Sequence, residues 1–487
     1  MKYVLGIDFG GGASKVTLLD ETGVIVATST AEYPTYYPEV GFVEQKAEDW
    51  YNAAKENIKE ILKMSGINAA NIAAISFDAA THTAVLMDED FNVLCPSVYW
   101  TDIRSADIVN ELKEKHGELI QKQAFHAPGT IWTLPQLMWL KQNKPEIIEK
   151  TKKLVFEKDY VRHMLTGDFC TDYIDAQGSM LFDMNTGEWS HELCEICGID
   201  MGILPEIKNP KDIAGFVTED AAMDTGLAAG TPVLTGTTDT VMEVFAAGAV
   251  NEGNMTVKLA TAGRICVVTE GPRPDPNLIN YAHIVDKMWY PGTATKACAS
   301  SLRWYRDTFG GDYAQLDADA EQIPLGAGGL MYHPYLNGEL TPYNDTNLCG
   351  SFVGIRGAHT KAHFTRALLE GVALSLLDCV KTLDGMDIYR DKKATLIGGG
   401  AKSKVWRQIV SDCLGIEFEG KECSDSSFGS AMLAGIAAGF WKDENDALEH
   451  CSKTSFTVTP NPEKTAEYEK IFKKYKAVHD ALEGIYR

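Results

Sequence analysis

Residues 6–15 read Gly6-Ile7-Asp8-Phe9-Gly10-Gly11-Gly12-Ala13-Ser14-Lys15. In this stretch a carboxylate ends an apolar strand, and three consecutive glycines turn the chain into the next strand. Such a turn can aim several backbone N–H groups at one anion, because glycine tolerates the conformations that this requires. A tight hairpin with glycines at its tip is an equally good interpretation of these residues alone. The stretch lacks the GK[ST] ending of a Walker A loop, which excludes that class of phosphate loop.

The residues that follow predict a mixed α/β domain. Three short strands are expected within residues 3–27, and a buried strand is expected over 72–77. Between them, apolar residues recur at helical spacing from Trp50 onward, and Gly66 is expected to end that helix. Strands that alternate with helices in this way are typical of an α/β fold.

The same design recurs in the second half of the chain. Residues 255–269, MTVKLATAGRICVVT, again give an apolar strand, a small-residue turn and a second apolar strand. A later strand over 394–397 leads through Gly398-Gly399-Gly400-Ala401 into a helix. This internal repeat predicts two similar α/β lobes, residues 1–248 and 249–487, that face one cleft.

Length and charge narrow the range of functions. A chain of 487 residues is longer than one hydrophobic core usually organises, so two large lobes are expected. The formal net charge of -23 and the pI near 4.9 would repel a phosphate backbone or an anionic lipid surface. We therefore expect neither a nucleic acid nor a membrane among the partners.

Targeting signals and cysteines point to a reducing compartment. The N-terminal residues MKYVLGIDFG contain no signal-peptide apolar region, and no uninterrupted apolar run reaches the roughly 18 residues that span a membrane. The 11 cysteines are odd in number and scattered, which is typical of reduced thiols. Cys194 and Cys197 have a spacing that suits zinc, but no second pair accompanies them. A cytoplasmic protein is expected.

Three small-residue turns, taken together, favour a nucleotide site over three unrelated hairpins. The second turn, Leu259-Ala260-Thr261-Ala262-Gly263-Arg264, has a threonine hydroxyl between two strands, and by itself it is an ordinary hairpin. The third, Gly398-Gly399-Gly400-Ala401, allows close approach of a ribose or a flat ring. Phosphates held between the first two turns would be wrapped from both lobes.

The C-terminal half also carries a longer motif. It consists of Gly350-Ser351-Phe352-Val353-Gly354-Ile355, then His363-Phe364, then Ala367-Leu368-Leu369-Glu370. In this motif the chain resembles the FGGY carbohydrate kinases, and the resemblance extends over almost the whole chain. It implies an α/β, actin-like ATPase (ribonuclease H-like) fold with two duplicated lobes around a nucleotide cleft.

Further segments resemble the xylulose kinases of that family more than its glycerol kinases. The matching segments are Gly41-Phe42-Val43-Glu44-Gln45, Trp100-Thr101-Asp102-Ile103-Arg104, Lys158-Asp159-Tyr160 and Gly338-Glu339-Leu340-Thr341-Pro342. The Arg-Glu pair of glycerol kinases is not found. The resemblance implies a magnesium- and ATP-dependent kinase that converts xylulose to xylulose 5-phosphate, with a homodimer as the expected assembly.

Other substrates and one other class of protein stay open. Related kinases act on L-xylulose, ribulose, gluconate, erythritol or glycerol, and similarity of fold does not separate these sugars. An actin-like protein that uses ATP as a conformational switch is the alternative of another class. It would need a partner-binding domain or a filament surface, and neither is evident in the sequence.

Asp239 is the predicted general base. It lies in Gly236-Thr237-Thr238-Asp239-Thr240, after an apolar strand and before a helix, and this position matches the catalytic aspartate of the family. Phosphoryl transfer to an alcohol needs a base for the hydroxyl proton. Capping of the following helix is the alternative role for Asp239. Asp8, together with Asp239, is the predicted magnesium ligand.

The resemblance also assigns binding residues. The predicted sugar ligands are His82, Thr81, Asp102, Arg104 and Asp239. Thr81 and Thr83 replace the methionine and glycine of the family pattern, so we expect an altered sugar pocket in which Asp78 is a further lining candidate. The predicted ATP ligands are Gly10, Gly11, Gly12, Ser14, Lys15, Thr261, Ala262, Gly263, Gly399, Gly400 and Ala401.

Overall fold

The computed structural model describes residues 1–486 as two mixed sheets with helices packed around them. The strands of the first half are β1 Tyr3–Phe9, β2 Ala13–Asp20, β3 Ile25–Glu32, β4 Glu44–Gln45, β5 Ile72–Ala79, β6 Ala84–Met87, β7 Ser97–Val98, β8 Lys153–Phe156, β9 Cys170–Asp172, β10 Phe182–Asp183, β11 Glu188–Trp189, β12 Glu206–Lys208, β13 Ile213–Phe216, β14 Pro232–Leu234 and β15 Thr237–Thr238. Those of the second half are β16 Met255–Leu259, β17 Gly263–Val267, β18 Thr269–Glu270, β19 Ile279–Ala282, β20 Met288–Thr295, β21 Met331–His333, β22 Ser351–Val353, β23 Lys393–Ile397, β24 Glu417–Lys421 and β25 Thr454–Val458.

Within residues 1–486, sixteen α-helices accompany these strands. They are α1 Ala47–Ser65, α2 Ala106–Ala124, α3 Thr133–Asn143, α4 Pro145–Lys150, α5 Glu157–Thr166, α6 Tyr173–Gly178, α7 His191–Cys197, α8 Glu219–Thr225, α9 Asp239–Ala246, α10 Ala299–Phe309, α11 Tyr313–Glu321, α12 Lys361–Gly385, α13 Lys404–Leu414, α14 Ser426–Ala437, α15 Glu444–Cys451 and α16 Pro462–Tyr486. Short 3₁₀ turns cover Ala69–Asn71, Met201–Ile203, Ala327–Gly329 and Gly399–Lys402.

The two large sheets share one strand pattern. In the first sheet, of order β13-β14-β5-β1-β2-β3, the hairpin β1–β2 is antiparallel and β1 pairs in parallel with β5. In the second, of order β18-β20-β17-β16-β23-β24-β25, the hairpin β16–β17 is antiparallel and β16 pairs in parallel with β23. The strand–turn–strand repeat predicted at residues 255–269 is therefore confirmed.

The predicted local elements agree with the structure to within a few residues. The helix that contains Trp50 ends at Gly66, whose φ of 64° is the left-handed conformation that favours glycine at a helix end. The C-terminal helix α16 buries Tyr468 and Tyr475 in the core of the second lobe, so it packs on its own lobe. Residues 1–486 contain no helix that is long and apolar enough to cross a membrane.

Helix α14 departs from a simple division into halves. It belongs to the C-terminal half of the sequence, but it packs on β1 and β5 of the first sheet and on helix α9. The contact is so close that a Cβ atom on Gly6 would lie 2.0 Å from the carbonyl oxygen of Ser427. A lobe boundary at residue 248 stays a prediction, and α14 joins the two halves across it.

Candidate active site

A cavity of about 260 Å³ lies between the two halves of the chain. Its lining comprises Gly11, Ala80, Thr81, His82, Tyr99, Trp100, Ile131, Asp239, Thr240, Arg264, Ile279 and Tyr281. Residues that follow β1, β5 and β15 thus meet residues of β17 and β19. The predicted residues Thr81, His82 and Asp239 are among those that the fold brings together here.

Asp239 is the first residue of α9 and faces the cavity. Thr238, not Asp239, occupies the cap position of the helix, so the capping role considered from the sequence does not account for this carboxylate. Its Oδ1 accepts one hydrogen bond, from the Thr240 hydroxyl at 3.0 Å. Burial raises the pKa of Asp239 and the Lys258 ammonium opposes that rise.

Asp8 and Asp78 lie side by side on the parallel strands β1 and β5. Burial raises the pKa of Asp8 to about 7 and places the pKa of Asp78 well above its usual range. The Ser430 hydroxyl of α14 donates to Asp78 Oδ2 at 2.6 Å, while the Oδ1 atoms of both aspartates lack a partner. Two neighbouring carboxylates repel each other when both are ionised, so they favour a proton shared between them or a bound cation.

The donor set at Asp8 fits Mg²⁺. This ion usually takes one or two carboxylates and completes its shell with water and substrate phosphates. No group of three or more acidic, histidine or cysteine side chains within residues 1–486 is arranged to hold a metal by itself. Asp8 offers the unpartnered Oδ1, and its Oδ2 lies 3.9 Å from the Cβ position of Gly10, at the first glycine turn.

The first glycine turn is held by hydrogen bonds to its carbonyl groups and faces open space at Gly12. Its carbonyl groups accept hydrogen bonds from the Tyr33 N–H at 3.0 Å and from the Gln45 side chain at 3.1 Å. A Cβ atom on Gly12 would meet nothing within 4 Å, so the front of the turn faces open space. Ser14, by contrast, is fully buried, and the Lys15 ammonium pairs with Asp425 at 2.9 Å.

The second turn lies against the N-terminus of α10. The Ala299 N–H donates to the Ala260 carbonyl at 2.7 Å, and the Ser300 hydroxyl donates to the Thr261 carbonyl at 2.7 Å. Arg303, an exposed residue of α10, donates to the Thr261 hydroxyl at 3.0 Å. A cationic side chain that the sequence analysis did not select therefore stands beside this turn.

The third turn packs on the second. A Cβ atom on Gly400 would lie 2.8 Å from the Cβ of Leu259, the first residue of the second turn. Gly399 is exposed, with open space where its Cβ would be, whereas Ala401 and Gly263 are buried. Two of the three predicted nucleotide turns are therefore neighbours in space.

A wall of aromatic rings closes one side of the cavity. The His126 ring stacks on Trp132 at 4.4 Å and meets the edge of Tyr281 at 4.9 Å, and His82 lies 4.9 Å from Trp132. Burial lowers the pKa of His82 to about 3, so this imidazole is neutral and can donate one hydrogen bond and accept another. Aromatic faces and neutral hydrogen-bonding groups suit a sugar.

Comparison with known proteins identifies the family. A model of the N-terminal domain of the FGGY family of carbohydrate kinases matches residues 3–246, and one of the C-terminal domain matches residues 264–438. The chain belongs to the FGGY family of carbohydrate kinases. It is therefore a sugar kinase that takes phosphate from ATP.

Individual relatives support this family. Xylulose kinase from Bacillus subtilis is 31% identical over 98% of this chain and 97% of its own, and gluconokinase from the same organism is 28% identical over 99% and 97%. The crystal structure of xylulose kinase from Rhodospirillum rubrum superposes with a TM-score of 0.93 at 27% identity, covering 100% of both chains. The predicted actin-like ATPase fold is confirmed.

In this kinase the Lys158-Asp159-Tyr160 motif lies in a buried set of charges that contacts the backbone of the cavity lining. The Lys158 ammonium is fully buried and lies 2.7, 2.9 and 2.8 Å from carboxylate oxygens of Asp159, Asp172 and Asp175. Asp175 in turn accepts the backbone N–H of His82 at 2.9 Å. Since His82 has a φ of 58°, unusual for a residue with a side chain, this bond helps to hold its backbone in place.

The same network reaches the turn before the predicted base. Asp172 accepts a hydrogen bond from the Thr237 hydroxyl at 2.8 Å. Arg162, also fully buried, donates to the Thr235 carbonyl at 2.5 Å and pairs with Asp159 at 2.8 Å. One buried set of charges therefore positions both His82 and the segment that leads to Asp239.

Asp102 and Arg104, two predicted sugar ligands, do not line the cavity. The Arg104 guanidinium pairs with Asp102 at 2.8 Å and with Glu44 at 2.9 Å, and it stacks on the Phe42 ring at 4.0 Å. Asp102 also accepts the Val43 N–H at 2.6 Å. These contacts fit a structural pair, and a direct role with the sugar stays a prediction.

Several residues near the cavity were not selected from the sequence. They are Tyr281, Arg264, His126, Trp132 and Glu157. Glu157 is fully buried without a hydrogen-bond partner for either oxygen, and burial, with the charges of Asp239 and Asp8, raises its pKa well above the usual range. The position of Glu157 directly before the Lys158 motif was the available signal for that residue. For Arg264, the signal was its position as the last residue of the second turn.

Proposed function

We propose that this kinase transfers the γ-phosphoryl group of ATP to a primary hydroxyl of an open-chain sugar, with Asp239 as the general base. The observation that carries the proposal is the position of Asp239. Its carboxylate opens into a cavity of sugar size, is not used as a helix cap, and forms no ion pair within residues 1–486.

The chemistry follows from that position. The sugar hydroxyl donates its proton to Asp239 as its oxygen forms a bond to the γ-phosphorus. The bond between that phosphorus and the bridging oxygen breaks, ADP leaves, and the proton remains on Asp239. General-base assistance of this kind contributes roughly 10²- to 10⁴-fold to the rate.

ATP is proposed to lie across the three glycine and small-residue turns. The first turn, which is open at Gly12, and the Arg303 side chain beside the second turn offer space and positive charge to the phosphates. Asp8, with Asp239 nearby, is proposed to hold Mg²⁺, which supplies charge neutralisation at the phosphates when it is bound. The open third turn, at Gly399, suits the nucleoside.

Two sugars are the first candidates. Xylulose, which would give xylulose 5-phosphate, is favoured by the 31% identity with the Bacillus subtilis xylulose kinase. Gluconate is favoured by the gluconokinase relative at 28% identity, a difference too small to decide between them. Either molecule is of a size for a cavity of about 260 Å³, whereas a disaccharide is too large.

The test is a coupled assay of ADP release with ATP and Mg²⁺, run with pentuloses, polyols and sugar acids. We expect one class of sugar to raise ADP release, and Asp239→Asn to lower kcat by roughly 10²-fold or more without loss of ATP binding. Asp220→Asn, at an exposed position in α8, is the matched control and should match the unmodified enzyme. Equal turnover by the Asp239 variant would refute the base assignment.

An ATP-driven switch remains the alternative of another class. It predicts slow ADP release that no sugar accelerates. A cytoplasmic location and a homodimer stay predictions, and the second is checked by light scattering of the purified protein.

A further inference from the structure

Arg264 is a cation without a counter-ion in the sugar cavity. It ends the second turn, on β17, and lines the cavity together with Asp239 and Tyr281. Its Nε and Nη2 atoms are inaccessible to solvent and have no hydrogen-bond partner, which leaves Nη1 as the nitrogen on the open side. The guanidinium carbon lies 5.9 Å from the Tyr281 ring centre and 5.8 Å from that of Tyr290.

The other buried cations of this enzyme are matched by carboxylates. Lys158 meets three, Arg162 meets Asp159 and Asp168, and Arg104 meets Asp102 and Glu44. Arg264 forms no ion pair with any residue in the range 1–486, and aromatic faces are its main neighbours. Because an unpaired buried charge is costly, a group that a protein keeps in this state is a candidate for pairing with a ligand.

The charges around the cavity leave that role to Arg264. Lys258, which interacts with Asp239, is already paired with Glu243 at 2.6 Å. His126 is neutral, since burial and the Arg264 charge lower its pKa to about 3. Asp239 is the acidic group of the lining, and a substrate anion would be repelled from it and attracted to Arg264.

We propose that Arg264 binds the carboxylate of an open-chain sugar acid, so that the preferred substrates are aldonates of five or six carbons. The acid end lies at Nη1 of the guanidinium, whose two N–H groups donate to carboxylate oxygens, and the terminal hydroxyl at the other end reaches Asp239. A neutral pentulose offers only hydroxyl and carbonyl oxygens to the same cation, which form weaker bonds. This inference rests on the proposed kinase function and names its substrate class.

The experiment compares each acid with its neutral counterpart. Values of kcat/KM are measured for gluconate and xylonate beside glucitol, xylitol and xylulose, with the unmodified enzyme, Arg264→Gln and Arg264→Lys. We expect the unmodified enzyme to prefer the acid by at least tenfold, and Arg264→Gln to reduce the acid-to-neutral ratio roughly 10- to 150-fold, as loss of a charge-assisted hydrogen bond predicts. Arg264→Lys should keep part of the preference, because the charge remains.

Matched measurements separate folding from recognition. Arg273→Gln, at an exposed arginine of the same half, should leave the ratio unchanged, and thermal unfolding and ATP binding are recorded for every variant.

If neutral sugars are equal or better substrates, or if the ratio does not respond to Arg264→Gln, the carboxylate site is refuted and the kinase proposal stands. If no sugar accelerates ADP release by the unmodified enzyme, the kinase proposal itself fails. If Arg264→Gln does not fold, the binding of gluconate and of xylulose to the unmodified enzyme is measured separately by isothermal titration calorimetry. Tighter binding of xylulose than of gluconate refutes the inference.

Discussion

Replacement of Lys158 by methionine should destabilise the enzyme severely. The ammonium has no exposed surface and lies within 2.9 Å of three buried carboxylates. Methionine fills a similar volume but leaves Asp172 and Asp175 without their cation. Removal of one partner from a buried ionic group typically costs about 3–5 kcal/mol, because the remaining charges stay buried and uncompensated.

The measurement is urea unfolding followed by circular dichroism, with Lys381→Met as the matched control. Lys381 pairs with Glu469 at a similar distance, 2.9 Å, but the two side chains are 39% and 45% exposed. Exposed pairs contribute about 0–1 kcal/mol, so the control should be almost as stable as the unmodified enzyme. A difference of less than about 1 kcal/mol between the two variants would refute the reasoning that burial decides the effect.

Two further outcomes follow from burial and close packing. The folded pKa of Glu157 is raised, so its contribution to stability is full below about pH 4.3 and is lost as the pH rises toward that folded pKa. Above about pH 4.3, Glu157→Gln should therefore gain stability relative to the unmodified enzyme by up to ~1.4 kcal/mol per pH unit. Urea unfolding at about pH 5 and pH 8 measures this gain. The exposed control Glu219→Gln should show the same difference at both pH values, and the same result for Glu157→Gln would contradict the prediction. Gly6→Ala should lower the stability of the fold by about 3 kcal/mol or more, because its Cβ would lie 2.0 Å from the Ser427 carbonyl oxygen. Gly117→Ala in α2, the control, should raise stability by about 0.5–1 kcal/mol. Equal melting temperatures of the two variants would show that α14 can shift away from β1 at little cost.

Local features of the fold were predictable because their causes are local. The helix that starts near Trp50 and ends at Gly66 needs only an apolar stripe and a residue that accepts a positive φ. The hairpins around the first and second turns likewise require only alternating apolar strands and small residues between them. Such signals lie within a few residues of each other, so a single sequence contains them.

The composition of the site was predictable only in part. Asp239 and His82 could be placed through a resemblance over the whole chain, but Tyr281 and His126 face the cavity because separate segments cross in space. Asp102 and Arg104 matched a sugar-binding motif, yet the Arg104 guanidinium contacts Glu44 and Phe42, which lie far away in the sequence. A motif shows which residues occur together in a family, but it does not show which other side chains each of them contacts in the folded protein.

The placement of α14 has a consequence for the order in which the enzyme is made. During synthesis, β1 and β5 emerge hundreds of residues before the helix that covers them. Until Ser430 has left the ribosome, Asp78 lacks its hydroxyl donor and the groove at Gly6 is uncovered. The nascent N-terminal half therefore leaves the surface around Gly6 uncovered until residues 426–437 are made, and uncovered surface of this kind favours aggregation.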